Sequence, residues 1–344
     1  MTDDRRLEGD TQRLGGDARP GGNDGRGGGD DRRTLEGGDV VQTDGDVVQP
    51  DGDVVQPDGG YATLTDADVG RAGDSGTWYR QLLVVAETEY RLAIRSRWAI
   101  AMTGIFAAFA LGLTTFSGSS VSPEGFERTV ASLAVLAVYL VPLVALAFSY
   151  DAIVGREESG WLHTLFALPV ERAWLVVGSA LGRAVVLASA TILGFGIAGG
   201  FLLREFGLAG FDAYVGFLLA TAGLGLAFLA IGVLVSSLAR EKTHALGISL
   251  LVWAWFVLVH DLLGLGLIAA FDLSDAAVSA MLLANPTGIF RALVLGSLGA
   301  AGDAGFATVL ADSGLSSGLL VAALLAWIVL PTTLAALAIR RRRL

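Results

Sequence analysis

Six long uncharged runs of apolar residues fill the last three quarters of this chain, and none lies in the first quarter. They extend from Trp98 to Pro123, Thr129 to Tyr150, Ala184 to Leu203, Ala213 to Ala239, Thr243 to Phe271 and Ser313 to Ile339, the fifth broken only by Asp261. A helix rises 1.5 Å per residue, so about 20 apolar residues cross roughly 30 Å of hydrocarbon. The pattern predicts an all-α polytopic membrane protein with six transmembrane helices. Residues 272–312 are apolar in part but interrupted by Asn285, Pro286 and Arg291. A full span there would strand a proline break and a cation in lipid, so an external loop of short or re-entrant helices is expected.

Ahead of the first run, residues from Trp78 onward alternate with helical period. Trp78, Leu82, Val85 and Leu92 fall near one face, and Arg80, Glu87, Arg91 and Arg95 opposite, with Glu89 interrupting the apolar side. With Arg97 and Trp98 following, this reads as an amphipathic helix in the membrane interface, its aromatics at headgroup depth. Residues 1–76 show no such periodicity. They are dominated by Gly, Asp, Arg and Gln and cannot bury enough apolar surface to offset the entropy of ordering, so a disordered acidic tail is expected before a six-helix domain over 77–344. Within the tail GDVVQTD from Gly38 is followed by GDVVQPD from Gly45 and from Gly52. Either a binding repeat or slippage in a tolerant linker produces such a pattern, and the second reading is preferred. No charged segment leads into an apolar stretch at the start, so the first spanning helix is expected to direct insertion.

Charge adds orientation. Residues 1–76 hold 18 Asp and Glu against 8 Arg, while 77–344 hold 16 acidic against 16 basic residues, so the net charge of -10 belongs to the tail. Arg91, Arg95 and Arg97 precede the first run, Arg156 and Arg172 lie between the second and third, Arg240 and Lys242 between the fourth and fifth, and Arg340 to Arg343 close the chain. The alternate loops carry Arg128, Arg204 and Arg291. By the positive-inside rule both termini are expected on the cytoplasmic face of the cell membrane.

Soluble-enzyme signatures are scarce. There is no cysteine, and the single lysine, Lys242, does not belong to a GxxxxGK[ST] phosphate loop, so ATP hydrolysis is expected in a separate subunit. His163, His244 and His260 are not spaced as a helical metal pair, and the chain's metal chemistry is left open. An intramembrane hydrolase built on His163 or His260 with Asp151 or Asp261 lacks a serine at matching depth. No nucleic-acid-binding pattern is present.

The connection between the second and third runs reads YDAIVGREESGWLHTLFALPVERAW from Tyr150 to Trp174. It joins a charged turn at Arg156, Glu157 and Glu158 to a short apolar helix from Gly160, carrying Trp161, Leu165 and Phe166, that ends at Pro169 before Glu171 and Arg172. Such a segment fits either a partner's groove or the membrane surface. Together with FALPVER at Phe166–Arg172, LGISLLVWAWFVLVHDL at Leu246–Leu262 and LLANPTGIFR at Leu282–Arg291, it resembles the ABC-2 type permeases, most closely the NosY permeases of nitrous oxide reductase maturation. The resemblance covers roughly Glu87 to Arg343. The tail has no counterpart in it, and the basic residue usual early in the third span is represented by Arg183.

This resemblance implies a homodimer in membrane lipid, two cytoplasmic NosF-like ATPase subunits that hold ATP and Mg, and an extracytoplasmic NosD-like partner. The chain itself would bind no cofactor. Arg156, Glu157, Glu158, Gly160, Trp161, Leu165, Pro169 and Arg172 would form the ATPase-coupling region, with copper or a sulfur species as cargo. Soft sulfur ligands suit Cu(I), yet the chain offers only Met1, Met102 and Met281. Three polar residues inside the runs need a reason to be there. Arg183 is placed to snorkel to the headgroups, and His260 with Asp261 would either face a cargo cleft or clamp the fifth span to the external helices.

Overall fold

The computed structural model describes residues 78–116, 123–159, 172–208, 210–298 and 315–341. The expected tail, 1–76, lies outside them. No strand occurs among the described residues. The helices are α1 (Trp78–Arg95), α2 (Trp98–Phe116), α3 (Pro123–Ser149), α4 (Val154–Glu158), α5 (Arg172–Phe206), α6 (Phe211–Leu238), α7 (Lys242–Ala254), α8 (His260–Ala270), α9 (Asp275–Leu283), α10 (Pro286–Leu298) and α11 (Ser317–Arg341), with a π turn, Trp255–Val259, fusing α7 to α8. Among the described residues six helical stretches are long and apolar enough to cross a membrane: Trp98–Thr115, Gly125–Glu158, Ala173–Phe206, Phe211–Leu238, Lys242–Ala270 and Ser317–Arg341. The all-α, six-span architecture expected from the hydrophobic runs is the one found.

α6 is the centre of the bundle, packed against α3, α5, α10 and α11. Seventeen of its 28 residues are buried. Aromatic rings run through this core: Phe106 meets Phe195 at 5.6 Å between ring centroids, Phe195 meets Phe217 at 5.6 Å, and Phe217 meets Phe290 at 6.4 Å. Because lipid offers no hydrophobic drive for helices to associate, close backbone approach matters, and glycines mark it. A Cβ at Gly194 would sit 2.5 Å from that of Phe106, and one at Gly182 would sit 2.5 Å from the Ala86 carbonyl oxygen and the Glu89 Cβ.

That second contact places α1. It lies along the first turns of α5, with Val85 against Gly178, and its buried stripe is Ala86, Glu89 and Ala93. Leu92, assigned by period to the apolar face, is 52% exposed. The difference arises because α5 starts at Arg172, twelve residues before the uncharged run at Ala184. At 35 residues it is about 50 Å long, so it outreaches the hydrocarbon and offers α1 a protein surface to pack on. The chain turns from α1 into α2 through Arg97, whose φ of 62° is left-handed, while the Ser96 amide donates to the Leu92 carbonyl at 2.9 Å.

Beyond α8 the chain does not make a simple loop. α9 and α10 meet at 108° across Ala284 and Asn285, a break of the kind found in interrupted or re-entrant spans. α10 is largely buried against α6 and α11.

Candidate functional site

Among the described residues two polar networks stand out in an otherwise apolar bundle, one at the start of the fifth span, Lys242–Ala270, and one from its middle to about two-thirds of the way along. Lys242 and Asp261 are nineteen residues apart, about 28 Å along a helix.

The first network gathers around the turn after α3. Ser236, near the end of α6 and fully buried, accepts hydrogen bonds from the backbone amides of Ile153 and Val154 at 2.9 and 3.2 Å. These amides belong to the start of α4, where no partner within the helix is available, so one hydroxyl satisfies donors from a segment 83 residues away. α4 is thereby held against the fourth span. Its Gly155 lies on the stem of Lys242, where a Cβ would come within 2.7 Å of Cε.

Two arginines and two carboxylates meet beside it. Arg156 pairs with Glu89 of α1. Arg183 of α5 lies 3.5 Å from the other oxygen of Glu89 and donates to Asp151 at 3.0 Å and to the Phe148 carbonyl, with its guanidinium 5.3 Å from the Phe148 ring centroid. Glu89 is 6% exposed. A carboxylate that interrupts an amphipathic face is costly unless paired, and here two cations neutralise it. A cavity of about 320 Å³ opens beside the cluster, lined among others by Trp98, Tyr150, Asp151, Arg156 and Arg183. At the far end of α4 the Glu158 carboxylate accepts the backbone N–H of Lys242, the first residue of α7, at 2.7 Å.

The second network joins the π turn to the break between α9 and α10. Within the π turn Trp255–Val259, the Phe256 carbonyl accepts from Asn285 Nδ2 at 2.9 Å and Thr287 Oγ1 at 3.3 Å. Asn285 Nδ2 also lies 3.1 Å from His260 Nδ1 and 3.4 Å from Asp261 Oδ1. The oxygen of the same amide caps α10, accepting from the Thr287 N–H at 3.0 Å and its hydroxyl at 2.9 Å, while Pro286 occupies the first helical position, where a missing N–H does no harm. Asp261 pairs with Arg291, one turn after Thr287 on the same face of α10. Trp327 of α11 donates to the Leu283 carbonyl at 3.0 Å, tying the break to the last span.

The expected site residues distribute as follows. Arg156 and Glu158 fall in the first network with Arg183, and Glu157 lies between them on α4. Gly160, Trp161, Leu165 and Pro169 lie outside the described residues, as do His163 and the side chains of Arg172 and Trp78. Arg91 is exposed and pairs with Glu87 at 2.5 Å; Arg95 and Arg97 are exposed at the end of α1 and in the turn after it. His260, Asp261, Asn285, Pro286 and Arg291 share the second network. Sequence reasoning did not assign Ser236, a lone hydroxyl in an apolar run, or the π turn, which leaves no trace in composition. Asp151 and Asp261, candidates for hydrolytic chemistry, are each held by an arginine.

Comparison with known proteins fits this geometry. The family described as ABC-2 family transporter protein matches residues 83–344, from α1 to the end of the chain. A protein of Pseudomonas aeruginosa described as a probable ABC transporter permease protein NosY is 36% identical over 252 residues, 71% of this chain and 92% of that one. Another of that description from Stutzerimonas stutzeri is 36% identical over 282 residues, 77% of this chain and 99% of its own. A six-span helical bundle that matches the family over its whole length, at this identity to two permeases, establishes the chain as a multi-pass transporter permease subunit of the ABC-2 family, similar to NosY.

Proposed function

We propose that this permease serves the assembly of the copper centres of nitrous oxide reductase, moving copper or a sulfur species across the cell membrane at the expense of ATP hydrolysed by a separate subunit. The observation that carries the reading is the 36% identity to the two NosY permeases along nearly their full length. The motifs YDAIVG and NPTGIFR fall in the two polar networks, which supports the likeness at the positions where polar residues are hardest to accommodate.

In this reading two copies of the chain pair in the bilayer, with both termini cytoplasmic, which the arginine distribution favours. Two NosF-like ATPase subunits, holding ATP and Mg, engage the α3–α5 connection from Glu157 to Arg172, and a NosD-like protein receives the cargo outside. Closure of the ATPase pair pushes on that connection and on α1. The network of Glu89, Arg156, Arg183 and Asp151 carries the push into α3 and α5, because it joins all three elements through charge-assisted contacts. With no cysteine and three methionines in the sequence, a sulfur species is the better-matched cargo than bare Cu(I).

The test is deletion of this chain in a cell that makes nitrous oxide reductase, followed by measurement of copper content and activity of the purified reductase. Reductase lacking its copper centres, restored by the chain together with an ATPase-competent partner and not by a Walker-lysine variant of that partner, is the expected result. Full restoration by the inactive partner would replace the transporter by an assembly scaffold. An undiminished reductase would assign the chain to a different ABC-2 export task.

A further inference from the structure

The fifth span is poorly held by packing within the protomer. Of its 29 residues from Lys242 to Ala270, four are buried, Ala245, Ser249, Val257 and Gly264, against seventeen of 28 in α6. Polar ties position it instead. Asn285, Thr287 and Arg291 grip it at and after the π turn, and Trp253 donates to the Tyr139 carbonyl at 3.1 Å midway. At its starting end the tie is Glu158.

A helix N-terminus presents backbone N–H groups with no partner of their own and a partial positive charge, so it favours a carboxylate acceptor. The residue in the capping position of α7 is Glu241, extended at φ -138° and ψ 146°, but its side chain makes no capping bond and lies 3.8 Å from His244. The first N–H of α7 is taken by Glu158, 84 residues earlier, at 2.7 Å. Glu158 ends the five-residue α4, whose other end hangs on the Ser236 hydroxyl. The cap of the fifth span therefore belongs to the segment that leads into the ATPase-coupling connection.

We propose that Glu158 is a detachable cap: displacement of α4 by the ATPase subunits withdraws its carboxylate from Lys242 and frees the starting end of the fifth span to move relative to α6. This rests on the permease reading above and assigns the coupling motion to one span. It also gives Glu158 a role inside the chain, distinct from contact with the partner. Glu158 is exposed and takes no part in the core, so its replacement leaves the bundle folded.

The absence of cysteine makes the test direct. Leu246→Cys, exposed on the second turn of α7, is labelled with a charged maleimide in membranes containing the co-expressed ATPase subunit, with and without ATP and vanadate. The expected result is a nucleotide-dependent labelling rate in the otherwise native chain, loss of that dependence in Glu158→Ala, and its recovery in Glu158→Gln, whose amide oxygen still accepts a hydrogen bond. Amide exchange at residues 242–245 of the same complexes should be about fivefold faster in the alanine variant and near native in the glutamine variant, as for loss of a helix cap. The ATPase subunit should copurify with all three, because its contact is spread over the connection from Glu157 to Arg172 and does not rest on the Glu158 carboxylate, which is taken up at Lys242. Loss of copurification in Glu158→Ala would place Glu158 in the subunit contact and overturn the proposal. So would a nucleotide-dependent rate that survives in Glu158→Ala, or a native complex that hydrolyses ATP with no change at residue 246. A native chain that retains no ATPase subunit would instead remove the proposed ATPase partnership on which this inference rests.

Discussion

Replacing Asp261 by alanine removes the carboxylate that pairs with Arg291, together with its longer contact to Asn285 at 3.4 Å, and leaves the bonds of Asn285 to Phe256 and Thr287 in place. The pair is largely out of solvent, with the Asp261 side chain 16% and the Arg291 side chain 20% exposed. Breaking a buried ion pair by deleting one partner costs about 3–5 kcal/mol, because the surviving charge is left without compensation. Residual exposure lets water reach the guanidinium, which sets the loss near the low end, about 3 kcal/mol. For a domain of this size 1 kcal/mol corresponds to about 2–4 °C, so the thermal midpoint in detergent should fall by about 6–12 °C at a fixed scan rate. The paired variant Asp261→Leu with Arg291→Met should recover most of that loss, since an apolar pair of similar volume avoids desolvating two charges. The assay is a double-mutant cycle on purified protein followed by fluorescence-detected unfolding. A single variant within about 2 °C of native, or a double variant whose loss equals the sum of the two single losses, would show that the pair does not clamp α8 to α10.

Three further outcomes follow from contacts at named atoms. Gly182→Ala should push α1 away from α5, since its Cβ would meet the Ala86 carbonyl and Glu89 Cβ at 2.5 Å; a loss of about 1–3 kcal/mol and faster proteolysis near Arg95 are expected, while Gly247→Ala, with nothing within 4 Å, should not destabilise. Asn285→Ala leaves the buried Thr287 amide without its acceptor and removes one donor from Phe256, a loss of about 1–3 kcal/mol that unfolding midpoints would register and that Asn285→Asp should only partly restore, having no N–H to give. Ser236→Ala strands the amides of Ile153 and Val154 and should cost about 1–3 kcal/mol while speeding amide exchange at residues 153–155.

Membrane architecture is unusually legible in sequence because lipid accepts only helices whose backbone is satisfied internally, over a fixed thickness. The six uncharged runs between Trp98 and Ile339 follow from that constraint, and the helices differ from them mainly at ends that carry charge, such as the extension of α5 back to Arg172. Asn285 followed by Pro286 likewise announced a break in what would otherwise count as a span, by the chemistry of capping and the missing proline donor.

Partnership was not legible. Glu89 was visible as an anomaly on an apolar face, but nothing in linear order says that Arg156 and Arg183, 67 and 94 residues later, neutralise it. Ser236 in an apolar run and Glu158 in a charged turn each look like ordinary residues; only the packing of α4 between α6 and α7 makes one hydroxyl the acceptor for two amides and one carboxylate the cap of another helix. Hydrophobicity and length act along the chain and are written in it, so the sequence by itself determined how many helices cross the membrane and where they break. Which charge meets which depends on how those helices lean together, and that is decided by glycine contacts and buried rings spread over many spans, so the tertiary structure alone supplied the two networks and the tie at Lys242.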